Sequence, residues 1–170
     1  MAGALRVAAE RQRFRSSSAL RNNEGVSHPD PRHVLVLYEG SRRGAAAIEQ
    51  AAETAARTSA RLTVVAVAVT ERADAGCCDT RAGYWNQVVQ ELAAGDLDHA
   101  RSLVGDRASA AFKVLRGTSV LDALALEARR SGADLVVVPS GRGIHPWIRA
   151  RRARQLQRRA TDAVVVAPAR

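Results

Sequence analysis

Apolar residues along this chain fall into two alternating patterns. Short uninterrupted runs are separated by longer stretches in which small or apolar positions recur every three or four residues. Residues 33–38 (HVLVLY) form the first run, as expected of a strand buried on both faces of a parallel sheet. Glu39-Gly40-Ser41 interrupts it, and Ser41 is placed to cap a helix whose inner face is Ala45, Ile48, Ala52, Ala55 and Ala56. Residues 62–69 read as a second buried strand. Residues 70–83, with Gly76, Cys77 and Cys78, read as a loop. Residues 84–104 then predict a helix carrying Val88, Leu92 and Leu103, weakened in its middle by Gly95.

The next unit has the clearest punctuation. Residues 110–115 predict a strand and Arg116-Gly117-Thr118 a turn. Ser119, with Asp122 three residues on, is a capping-box signature before Leu121, Leu124, Ala125 and Ala128. Gly132 sits where a helix end favours a positive φ. Residues 134–138 follow as a strand, 139–146 as a loop punctuated by Gly and Pro, 147–160 as a helix and 163–167 as a last strand. This alternation predicts an α/β fold: a doubly wound, five-stranded parallel sheet with helices on both faces. Ligands of such open sheets sit beyond the carboxyl ends of the strands, where the winding reverses. The segments placed there are Glu39-Gly40-Ser41 and Ser140-Gly141-Arg142-Gly143.

Charge changes the picture only at the ends. The 170 residues carry a net +9, divided as +3 over residues 1–32, −1 over 33–140 and +7 over 141–170. The body is neutral, so a uniformly basic nucleic-acid-coating surface is not expected. Lys113 is the only lysine, and this arginine bias in an alanine-rich chain points to a GC-rich genome. Residues 1–32 are expected to be a disordered basic arm, with residues 33–170 as the domain. The arm's Arg- and Ser-rich character also resembles an organellar transit peptide, the less favoured reading. No apolar run approaches the roughly 20 residues needed to span a bilayer. The adjacent pair Cys77 and Cys78 forms no disulfide framework, so a cytoplasmic location is expected.

Taken together, the runs VLVLYEGS (34–41), LTVVAVA (62–68), RGTS (116–119) and GADLVVV (132–138) resemble the universal stress protein family, over about residues 33–168. The resemblance implies a sheet of order 3-2-1-4-5, of the adenine-nucleotide alpha-hydrolase-like kind, and a homodimer formed through the last strand, residues 163–167. It also implies ATP bound at the switch point. There an acidic residue after the first strand and a valine in the second lie near base and sugar, and a G-x2-G-x9-G-(S/T) loop holds the phosphates. Glu39 stands at the acidic position and Val67 at the valine. In the loop, Ser140 replaces the first glycine and Gly143 matches the second. Ala153 replaces the third glycine and Arg154 the hydroxyl residue that follows it.

The candidate nucleotide-binding set is therefore Tyr38, Glu39, Gly40 and Val67, with Ser140, Gly141, Arg142, Gly143 and Arg154 at the phosphate end. Three readings compete. The favoured one is a non-enzymatic stress-response or regulatory module, homodimeric, with weak or lost ATP binding. The second keeps ATP or another adenine nucleotide, with arginine gripping the phosphates. The third is a polyanion or nucleic-acid binder acting through Arg149, Arg151, Arg152, Arg154, Arg158 and Arg159. It is less favoured, because aromatic interleaving is sparse and a solvated arginine face explains the cluster. His28, His33, His99 and His145 lack metal-ligand spacing, and no residues are arranged as a catalytic constellation.

Overall fold

The computed structural model describes residues 30–71, 80–139, 155 and 164–167. Five parallel strands, β1 (His33–Leu37), β2 (Arg61–Val69), β3 (Ala110–Gly117), β4 (Leu135–Pro139) and β5 (Val164–Ala167), form one sheet. Their order is β3-β2-β1-β4-β5, as the resemblance implied. Three helices connect the first four strands: α1 (Arg42–Thr58), α2 (Thr80–Val104) and α3 (Val120–Ser131).

Each face of the sheet has its own core, because successive strand residues point to opposite sides. On one face Val34, Val36, Leu62, Val64 and Ala66 pack against Ile48, Ala51 and Ala55 of α1 and Ala93, Leu97 and Ala100 of α2. On the other, Leu35, Leu37, Val65 and Leu115 pack against Leu124, Ala125 and Ala128 of α3. All five residues of β1 are buried, which explains why its sequence shows no polar alternation. The alanine-rich inner stripes let α1 and α2 approach the sheet closely.

The predicted caps form. Ser41 Oγ accepts from the Gly44 N–H at 3.1 Å, and Ser119 Oγ accepts from the Asp122 N–H at 3.5 Å. Gly132 ends α3 in the left-handed region at φ 64°. Ser59 does the same for α1 at φ 54°, a cap the sequence does not announce because the residue is not glycine.

Two boundaries differ from expectation by more than one residue. Helix α2 begins at Thr80 rather than residue 84, so part of the predicted loop is helical. Gly83 is a poor helix former, but Ala82 beside it is buried and anchors the first turn. The Asn86 side chain further fixes that turn, accepting from the Glu71 N–H at 2.8 Å and donating to the Glu71 carbonyl at 3.1 Å. Strand β3 continues through Gly117 because Arg116 and Gly117 stay in register with Ala68 and Val69 of β2.

The amino end of the sheet is closed by one carboxylate. Asp134 accepts from the main-chain N–H of Arg32 at 2.8 Å and of His33 at 3.0 Å. This gives the aspartate of the GADLVVV run, one of the motifs that carry the resemblance, a structural cause at the end of the sheet away from the site.

Candidate functional site

Strand β1 returns through α1 to β2 on one side, whereas β4 lies on its other side, so the winding reverses at the carboxyl ends of β1 and β4. Tyr38, Glu39 and Gly40 occupy this point. The β1–β2 ladder closes with the Tyr38 N–H donating to the Val65 carbonyl at 2.8 Å. Gly40 then turns the chain out of the sheet at φ 63°. Strand β2 continues to Val69 and stays paired with β3 through Gly117, so both project past the end of β1.

This projection exposes main chain. In a parallel ladder a residue sends its N–H and C=O to the same neighbour, and the next residue sends its pair to the opposite one. Val65 faces β1, so Val67 also faces that side. Val67 stands two residues beyond the last pair, Leu37 with Val65. Its donor and acceptor therefore point into the space past β1, while its half-buried side chain packs on the α3 face with Val65 and Leu115.

The Tyr38 side chain is placed differently from a ligand contact. The ring is buried in the α1–α2 core, and its hydroxyl shares a 2.9 Å hydrogen bond with Nδ1 of His99 on α2. The two rings meet edge to face. Burial raises the phenol above its ordinary pKa, and the negative charge of Asp96 adds to that. Tyr38 thus contributes to the crevice through its main chain. Glu39 and Gly40 are exposed at its mouth.

Two residues of α2 lie beside this point: Asp96, which the sequence reading passed over, and His99, which it weighed only as a metal ligand. Asp96 and His99 are three residues apart on α2 and lie on one helical face. Asp96 packs against Gly40 so closely that a β-carbon there would lie 2.5 Å from its Oδ1 and 3.4 Å from its Oδ2. Their signal in the sequence was a polar pair continuing the spacing of Leu92 down the same face. Ser140, Gly141, Arg142, Gly143 and Arg154 lie outside the described residues, as do Cys77, Cys78 and the arginines of 149–159. Among the described residues no group of three His, Cys, Asp or Glu side chains is placed to hold a metal ion. Nor is any helix among them long and apolar enough to cross a membrane.

The sequence pattern of the universal stress protein family matches residues 31–168, most of the chain and all five strands. The chain belongs to the universal stress protein family. Solved structures carry the same fold. A protein of this family from Burkholderia pseudomallei is 26% identical, with a TM-score of 0.63, covering 81% of this chain and 96% of that one. A universal stress protein in complex with cAMP is 17% identical, with a TM-score of 0.61 and coverage of 84% and 100%. An Arabidopsis thaliana family member with AMP bound is 18% identical, with a TM-score of 0.53 and coverage of 82% and 93%. No curated protein matches the sequence.

Proposed function

We propose that this universal stress protein is a non-enzymatic regulatory module that binds an adenine nucleotide by its base and ribose, with little further grip on additional phosphates. The observation that carries the reading is the main-chain edge of Val67, which among the described residues has no strand partner beyond the end of β1 and stands level with Glu39. One donor and one acceptor on a rigid strand match the paired acceptor and donor on the edge of adenine, and they cost no side-chain entropy to present. Glu39 supplies an acceptor for sugar hydroxyls. Fold relatives solved with cAMP and with AMP are consistent with a mononucleotide ligand. Ser140 and Ala153 stand in the sequence where the family's phosphate-loop pattern has glycine, the residue type that lets main chain come closest to a phosphate.

Val67→Pro tests this directly. Proline removes the N–H that faces the crevice and leaves the ladder to β3 intact, because Val67 does not donate to that side. The expected outcome is loss of AMP binding in calorimetry, at least about tenfold, with an unchanged far-ultraviolet circular dichroism spectrum. Retained affinity in a folded Val67→Pro protein would place the base elsewhere.

The second part of the proposal is assembly. Strand β5 is the last in the sheet, with β4 on one edge and nothing described on the other. An open parallel edge is a template for pairing, and the homodimer implied by the resemblance would close it with the same strand of a second copy.

A further inference from the structure

We propose that Asp96 of α2 is a specificity-determining residue of the crevice, selecting nucleotides with a free ribose diol over those carrying phosphate on the 3′-oxygen. The inference rests on the nucleotide reading above and concerns a residue outside the loops that define the site.

The geometry is set by Gly40. Both Asp96 carboxylate oxygens lie within 3.4 Å of where a β-carbon of residue 40 would be, so the absence of that carbon is what admits the carboxylate beside the β1–α1 loop. Asp96 is half-buried, between the buried Ala93, Leu97 and Ala100 of its own helix and the exposed Gly40. One turn nearer the helix start on the same face, Leu92 is 64% exposed and offers an apolar neighbour for a sugar ring. With a base on the main chain of Val67, the sugar comes next, level with Glu39 and Gly40.

A sugar there meets carboxylates on two elements, Glu39 after β1 and Asp96 on α2. Ionised carboxylates only accept hydrogen bonds, so hydroxyls satisfy them. A phosphate oxygen in the same place offers no proton and adds like charge in a partly desolvated setting, where repulsion is stronger than in water. Selection thus comes from a favourable contact with the diol and an unfavourable one with the 3′-phosphate.

The test is calorimetric titration of the full chain with 5′-AMP and with 3′,5′-cyclic AMP, in the wild type, Asp96→Asn, Asp96→Ser and the control Asp98→Asn. Asp98 is exposed and pairs with Arg101 on the outer surface of α2. The wild type and Asp98→Asn are expected to bind AMP at least about tenfold more tightly than the cyclic nucleotide. Both Asp96 variants should narrow that ratio to about threefold or less, with the cyclic nucleotide gaining affinity. Equal wild-type affinities, or a ratio unchanged in folded Asp96 variants, would overturn the role of Asp96 and leave the nucleotide reading standing. Absence of binding by either nucleotide to the wild type would overturn both.

Discussion

Gly40 answers to two separate demands, and the sequence shows neither. Its φ of 63° is disfavoured for residues with a side chain, and any β-carbon would strike the Asp96 carboxylate. Gly40→Ala is therefore expected to cost about 1–2 kcal/mol from backbone conformation alone. Displacing Asp96 adds to this. Urea denaturation should show the Gly40→Ala loss partly recovered in a Gly40→Ala/Asp96→Ala double variant, since truncating Asp96 removes the clash but not the φ penalty. His33 is a second case. It was read as a metal candidate and set aside, and it lies at the amino end of the sheet. Its Nδ1–H donates to the Ser131 carbonyl at 3.1 Å, which leaves Nε2 to accept from the Thr63 hydroxyl at 2.9 Å. Burial lowers its pKa, and the charge of Arg61 acts the same way, against the Ser131 bond and the carboxylates of Asp134 and Glu127. Below the ordinary histidine value of about 6.5 the unfolded chain takes up a proton before the folded one does, so stability falls as pH drops through that value. Urea midpoints between pH 7.5 and 5 should decline less steeply in His33→Gln than in the wild type. Caps such as Ser41 and Gly132 were legible because they act on adjacent backbone. Asp96 was not, because its partner lies 56 positions away along the chain.

At the scale of elements, the edge strand β3 is tied to α3 by the chain's only lysine. Lys113 Nζ lies 2.8 Å from both oxygens of Glu127, whose residue is 9% exposed. Lys113→Met strands that carboxylate, at an expected cost of about 1–3 kcal/mol, moderated because the lysine side is partly solvated. In Lys113→Met/Glu127→Leu much of that loss should return, which a double-mutant cycle in urea measures. Beside 25 arginines, the one lysine side chain of the sequence is held by a specific carboxylate. Strand and helix order was readable from periodicity, because each buried run and each small-residue stripe is a local signal. The start of α2 was misread for a tertiary reason: burial of Ala82 and the Asn86–Glu71 bonds outweigh the local cost of Gly83. The open main-chain edge of Val67 was hidden for a similar reason. It exists only because β2 and β3 run past the end of β1, a comparison of lengths that needs the register.

For the whole molecule, the neutral body resolves into two cores on one sheet, with a crevice at the switch point and β5 at an edge where no further strand is described. If a second copy covers that edge, sedimentation of the full chain will show a dimer, and deletion of residues 163–170 will give a less stable monomer. A folded dimer after that deletion would place the interface elsewhere. The same crevice carries the functional reading. The measurement that tests it most directly is calorimetric titration of the full chain with AMP and with ATP. The account predicts that both bind, with affinities within about threefold of each other, equivalent to less than about 1 kcal/mol, and that Glu39→Ala weakens both. ATP bound more than about thirtyfold more tightly than AMP, or no heat from either at millimolar concentration, would contradict it.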